Sequence, residues 1–314
     1  MNLGAHMSIA GGLHLADDEA KAAGCSVLQI FTKSSNQWAA RPLSDDDVKS
    51  FKVAGRASGI GPVVAHDSYL INLGSPNPAL WEKSLAAFTH EVERCEQLGV
   101  SALIMHPGAH VGSGEEACLT RIAAAFDRCH ADTRGYKSRI LLEATAGQGT
   151  NVGYKFEHLR AILDRVAEPD RVGVCFDTCH VFAAGYDLRT RWGYDLCMQE
   201  FDRIVGLKKL EAFHLNDAKK DCGSRVDRHE HIGRGFLGLE PFRFLVNDPR
   251  FRKVPMILET PKEGGMDPVN LATLRGLREE MSKEDLQIPL PEGRSGRPGR
   301  KTRNSKIETR IKSE

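Results

Sequence analysis

A closed α/β barrel of the (β/α)₈ type is the fold this 314-residue sequence predicts, on three observations. Short apolar runs of strand length, rich in Val, Ile, Leu and Phe, recur along the chain. Amphipathic stretches separate them, and such alternation calls for a parallel sheet covered by helices. His, Asp and Glu close most of these runs. Only a closed barrel brings so many strand ends together; an open doubly wound sheet would strew them along an edge.

The strands are expected at Leu3–Met7, Val27–Thr32, Pro62–His66, Ala102–His106, Arg139–Ala144, Val172–Thr178, Leu210–Asn216 and Pro255–Thr260. Leu80–Leu98 has the clearest helical pattern, with Leu85, Phe88, Val92, Cys95 and Leu98 three or four apart and Gly99 as its C′ residue. Glu116–His130, Phe156–Val166 and Pro268–Met281 read the same way. Asp45-Asp46-Asp47 behind Ser44 is an acidic, capped helix start, not a metal site. Gly233-Arg-Gly-Phe-Leu-Gly238 matches a dinucleotide fingerprint but lacks the preceding strand, so it reads as a loop.

Residues 1–285 are assigned to the barrel domain and 286–314 to a disordered, basic, Pro/Gly/Arg-rich tail. From Pro291 onward eight Lys/Arg face three Glu, which leaves the body mildly acidic. Such a tail is either solubilising or a salt-sensitive electrostatic arm for nucleic acid. No apolar run reaches membrane-span length and the N-terminus lacks signal-peptide features, so a cytoplasmic protein is expected. The eight cysteines form no Cys-x-x-Cys pair and read as reduced core residues.

The chemistry sits at the strand ends. Strand 3 ends in His66, followed by Tyr69 and Leu70; strand 4 ends in His106; strand 5 delivers Glu143; strand 6 delivers Asp177 and His180. Strand 7 ends in His214, Asp227 and His229 lie in the loop beyond it, and strand 8 ends in Glu259. Four carboxylates converging on one mouth repel one another, and burying each alone is costly. Bound cations resolve this. Imidazole with carboxylate suits Zn²⁺, with Mn²⁺ as a possible substitute. Nine side chains with one bridging carboxylate supply about ten metal–ligand bonds, and three four-coordinate ions need about twelve. The remaining positions suit a hydroxide and a substrate oxygen, as in a hydrolytic site. His6, His110 and His231 are outer donors or bystanders.

Four segments carry a family resemblance: Phe176-Asp177-Thr-Cys-His180-Val-Phe-Ala-Ala-Gly-Tyr-Asp187, Leu142-Glu143-Ala-Thr-Ala-Gly-Gln-Gly-Thr150, His214-Leu-Asn-Asp217 and Asp227-Arg-His229. Together they resemble endonuclease IV, the zinc-dependent apurinic/apyrimidinic endonuclease family of base excision repair. The likeness runs from Gly4-Ala-His6 to about Glu280. It implies a TIM barrel with three zinc ions: one held by His66, His106 and Glu143, a second by Glu143, Asp177, His214 and Glu259, and a third by His180, Asp227 and His229.

The resemblance further implies hydrolysis of the phosphodiester 5′ to an abasic site in double-stranded DNA, leaving a 3′-hydroxyl and a 5′-deoxyribose phosphate. Glu143 would be the catalytic residue, and Asn36, Tyr69, Leu70 and Arg228 the DNA contacts. Tyr69 and Leu70 are placed to wedge into the base stack. Some relatives carry arginine where Asn36 stands, so a neutral hydrogen-bonding contact is expected there. A monomer without an obligate protein partner is expected. Two alternatives remain: a sugar isomerase or epimerase using Glu143, Asp177, His214 and Glu259 around one metal, and an inactive DNA-binding or zinc-storing protein.

Overall fold

The computed structural model describes residues 2–278. The expected tail, 286–314, lies outside the described residues. Eight parallel strands close a barrel in simple sequence order: β1 Leu3–His6, β2 Val27–Phe31, β3 Val63–His66, β4 Ala102–Met105, β5 Arg139–Glu143, β6 Val172–Asp177, β7 Leu210–His214 and β8 Met256–Leu258. Each coincides with an expected run, trimmed by one or two residues at one end, or at both for β8.

The helices are α1 Leu15–Ala23, α2 Asp45–Ser58, α3 Pro78–Leu98, α4 Glu115–Asp132, α5 Phe156–Arg165, α6 Thr178–Ala184, α7 Arg191–Ile204, α8 Glu240–Asn247 and α9 Asp267–Gly276. Ser44 caps α2 in a reciprocal box with Asp47. The helix expected over Pro268–Met281 ends at Gly276 among the described residues. The short helix α6 and two two-residue ribbons have no counterpart in the sequence reading. The ribbons pair Gly108–Ala109 with Asn151–Val152 and Asp217–Ala218 with His229–Glu230. Two residues carry no periodicity, so only their distant partners define them.

Strand side chains alternate between the barrel interior and the helix layer. A small apolar cluster of Val27, Val64, Ala102, Ile104, Leu141, Cys175, Ala212 and Ile257 stands apart from the main core and fills the barrel's lower interior. The main core lies between sheet and helices, where Phe88, Phe126, Phe156, Phe176, Phe201 and Phe213 are buried. One step of two further along each strand, the inward positions turn polar: Gln29, His66, His106, Glu143, Asp177, His214 and Glu259. The candidate site is therefore the top interior layer of the barrel. The wall is tight: a Cβ on Gly4 would lie 1.9 Å from the Val27 carbonyl oxygen.

On α4, His130 is buried, and neither ring nitrogen has a hydrogen-bond partner. Burial, with Arg171 nearby, pushes its pKa down to about 4. The folded state thus binds fewer protons than the unfolded chain, so stability present above about pH 6.5 is lost as pH falls toward 4. His130→Leu should flatten this loss, read as a smaller drop in urea midpoint between pH 7 and pH 5 than the wild type shows. Parallel pH dependences in the two proteins would remove His130 from the acid limb.

Candidate metal centre

All nine residues expected at the barrel mouth meet in one place. Glu143, fully buried at the end of β5, is its middle. Its Oε2 lies 3.1 Å from His66 Nε2 and 3.6 Å from His106 Nε2. Its Oε1 lies 3.0 Å from His180 Nδ1 and 3.1 Å from His214 Nδ1. Glu259 approaches His214 Nδ1 at 3.1 Å, and Asp177 lies 3.8 Å from the same nitrogen. Asp227 Oδ1 is 3.1 Å from His180 Nε2 and 3.5 Å from His229 Nε2. His66, Tyr69, His106, His180, Asp227, Arg228, His229 and Glu259 line a cavity of about 310 Å³.

Three groupings follow from these distances. His66, His106 and Glu143 form one set, and Glu143, Asp177, His214 and Glu259 another. His180, Asp227 and His229 are mutually close, with 3.3 Å between the two Nε2 atoms, but His106 also groups with His180 and Asp227, so it stands between two sets. Cys179 also lies beside Asp177 and His229, although burial raises its thiol pKa and disfavours thiolate.

Local structure delivers these groups. Asp177 ends β6 and caps α6, its Oδ1 accepting the His180 backbone N–H at 2.8 Å, so strand end and helix start present their ligands together. The ribbon joining Asp217–Ala218 to His229–Glu230 folds the loop after β7 back over the barrel, which brings in His229 and Asp227. Gln148 fixes that loop by accepting the Asp227 backbone N–H at 2.9 Å.

Three imidazoles, those of His66, His214 and His229, share one orientation, and His180 follows it except that its Nδ1 also lies 3.0 Å from Glu143 Oε1. His66 Nδ1 donates to the Asp67 carbonyl at 2.9 Å, His180 Nδ1 to the Ala144 carbonyl at 3.1 Å, and His229 Nδ1 to the Glu259 carbonyl at 3.0 Å. His214 Nε2 donates to Gln29 Oε1 at 2.8 Å. In each ring the other nitrogen faces the carboxylates. An outer acceptor fixing the tautomer while the free nitrogen points inward is the arrangement metal-ligating histidines adopt.

Two outer amides were missed by sequence reasoning. Gln29 Nε2 donates to Glu259 Oε1 at 2.5 Å and meets His6 Nδ1 at 2.9 Å. Asn216 Nδ2 donates to Asp177 Oδ2 at 2.6 Å, while its Oδ1 accepts the Glu259 backbone N–H at 2.8 Å. His6 thus touches the site through Gln29 and lies 3.7 Å from Glu259 Oε1 itself, whereas His231 meets Asn270 and His110 meets Gly112. Gln29 had a usable signal: it stands two residues after inward-facing Val27.

Burial opposes charge on every group here. Even so, His214 and His106 hold the Glu143 carboxyl well below the usual range. His214 does the same for Glu259, and His180 for Asp227. The imidazoles answer: against burial, Glu143 raises His66 to about 9. His180, facing Asp177 and Asp227, and His214, facing Cys175, Glu259 and Glu143, are held well above the ordinary value. Such a cage is built for positive charge.

The expected DNA contacts surround this mouth. Tyr69 is 62% exposed, its ring 5.6 Å from both His66 and Phe31. Leu70 is half-buried beside it, and Asn36 and Arg228 are exposed on neighbouring loops. Residues 233–238 wrap the Asp217 carboxylate, which accepts from the Gly235 and Leu237 backbone N–H groups. No helix among the described residues is long and apolar enough to cross a membrane.

A family model described as xylose isomerase-like TIM barrel matches residues 18–287. The chain is 56% identical over 277 residues to a probable endonuclease 4 from Trichlorobacter lovleyi, covering 88% of this chain and 99% of that one. It is 52% identical over 291 residues to a probable endonuclease 4 from Geobacter sulfurreducens, covering 92% and 98%. Endonuclease IV from Thermus thermophilus superposes with a TM-score of 0.79 at 38% identity, covering 88% and 98%. A D-tagatose 3-epimerase-like protein superposes at 0.68 with 16% identity, which is a likeness of fold alone.

Asn216→Leu strands the Glu259 N–H and releases the Asp177 carboxylate. It should weaken zinc affinity by about 10–100-fold, measured by competition with a fluorescent chelator. Undiminished retention would show that Asn216 does not support metal binding.

Proposed function

The chain belongs to the endonuclease IV family, and on that ground we propose that it is a DNA-repair endonuclease hydrolysing the phosphodiester 5′ to abasic sites in duplex DNA, leaving 3′-hydroxyl and 5′-deoxyribose phosphate ends. The observation that carries this reading is the shared ring orientation of His66, His214 and His229, each anchored outward through one nitrogen and aimed inward through the other.

The donor set fits divalent zinc: five imidazoles and four carboxylates, all nitrogen or oxygen donors, in a pocket that draws positive charge. His66, His106 and Glu143 would hold one ion; Glu143, Asp177, His214 and Glu259 a second; His180, Asp227 and His229 a third, with Mn²⁺ a possible substitute. When bound, the ions supply Lewis acidity, which activates water and stabilises charge on the phosphate oxygens.

The chain's own groups set the rest. Glu143, ionised and buried between the groups, is placed to accept a hydrogen bond from the attacking water and orient it. Arg228, its Nη1 donating to the Asp227 carbonyl at 2.6 Å, presents a guanidinium at the cavity rim for backbone phosphate. Tyr69 and Leu70 fill the stack that an extruded abasic nucleotide leaves, and Asn36 offers a neutral polar contact from the adjoining loop. A nucleotide without a base loses little stacking on extrusion, so flipping itself selects the lesion.

An epimerase would use Glu143, Asp177, His214 and Glu259 around one metal. It leaves His66, His106, His180, Asp227 and His229, all within the same cluster, without a purpose.

The test is a duplex oligonucleotide with one tetrahydrofuran abasic analogue, which cannot undergo β-elimination. A single cut on its 5′ side, with a 3′ end that a polymerase extends, is expected. Prolonged chelation should abolish the cut and lower the melting midpoint, and Zn²⁺ should restore both. A folded, zinc-loaded sample that leaves the duplex intact would rule the reading out, and ketose substrates with Mn²⁺ would be tried next.

A further inference from the structure

Residues 32–44 carry Asn36, and residues 67–77 carry Tyr69 and Leu70. Both segments lack a strand or helix of their own, so other elements must satisfy their backbone groups.

Helix α3 lies behind both. Lys33 Nζ stands 2.9 Å from Glu91 Oε1 and donates to the Gln37 carbonyl at 2.6 Å. The two side chains are buried, at 2% and 1% exposure. The same Glu91 oxygen accepts the Ser68 backbone N–H at 3.2 Å, and Ser68 Oγ donates to the Ser35 carbonyl at 2.6 Å. One turn along α3, Arg94 donates Nε and Nη2 to the Thr32 carbonyl at 3.2 and 2.5 Å and Nη1 to the Arg41 carbonyl at 3.0 Å. A single carboxylate oxygen thus joins both loops.

Desolvation offsets most of the attraction in a buried ion pair, so its contribution to net stability is small. What Lys33–Glu91 supplies is geometry. We propose that this pair is a positioning strut that sets the Asn36 loop against the Tyr69–Leu70 loop, so that both engage one lesion at once. The proposal rests on the DNA reading above. It also relates the wedge to the metal cluster, because Asp67, between Ser68 and His66, accepts the His66 Nδ1–H through its carbonyl.

Lys33→Met/Glu91→Leu removes both charges together and avoids stranding one. Incision of the tetrahydrofuran duplex should show KM raised about tenfold with kcat within about threefold, at unchanged zinc content. Since the strut acts through the wedge, the same pair of changes added to Tyr69→Ala/Leu70→Ala should raise KM by less than about twofold more. A general loss of stability would not produce that non-additivity. Lys33→Arg, which keeps the donor, should restore KM to near wild type. Should the double variant fail to fold, Ser68→Ala removes the Ser35 link together with the bond from the Leu70 backbone N–H that Ser68 Oγ accepts at 3.3 Å, and should raise KM about threefold, with the same non-additivity.

Unchanged KM, full additivity with the wedge variant, or a fall confined to kcat each overturns the strut while leaving the endonuclease reading intact. A wild-type enzyme that cuts no abasic duplex overturns both.

Discussion

Four carboxylates crowded onto one end of a barrel are the constraint on which the upper half of this molecule depends. Glu143 and Asp177 are fully buried, and Asp227 and Glu259 close the same cavity from the loops. Carboxylates so close in a low-dielectric setting cannot all ionise unless positive charge lies between them. Five imidazoles provide it or make room for cations that do. The cluster then sets further demands. Rings in the cluster need outward acceptors and its carboxylates outward donors; backbone carbonyls and Gln29 serve His66, His180, His229 and His214, while Gln29 and Asn216 serve Glu259 and Asp177. The polar layer stays ordered because much of it is held from outside as well as within.

The apolar lower interior makes this possible. Val64, Leu141, Ala212 and Ile257 fill the barrel beneath the cluster, so the strands are fixed by packing before any ligand position is reached. The next inward position then points into the site from a rigid wall. A ligand set built on strand ends inherits the precision of the sheet, whereas Asp227 and His229 need a dedicated ribbon to reach comparable placement.

What the sequence made legible follows from this division. All eight strands could be placed because strands buried on both faces are continuous apolar runs. Seven of the nine clustered residues could be located because they end those runs or, for His180, follow three residues later. Asp227 and His229 lack that strand-end signal, since His229 sits on a two-residue ribbon that pairs across the loop and Asp227 just before it, and the sequence marks them as ionisable residues of the loop after strand 7. Gln29 and Asn216 escaped for a different reason. Neutral amides do not stand out among polar residues, whereas ionisable groups at strand ends do. Gln29 was accessible through strand parity, two residues on from Val27. Asn216 lies beyond the end of β7, where parity no longer applies.

The loops above the cluster obey another rule. Their tips must stay exposed if Tyr69 is to meet a base stack, so apolar burial cannot hold them. Their carbonyl and amide groups still require partners, and those partners must be polar. A long helix packed behind two successive loops can supply them from a few residues one turn apart, as Glu91 and Arg94 do. An apolar pair at Lys33 and Glu91 would pack as densely, yet leave the Gln37 carbonyl and the Ser68 N–H unanswered. Charge is retained in that interior because backbone groups on both sides of it need a donor and an acceptor, and stability alone would not select it.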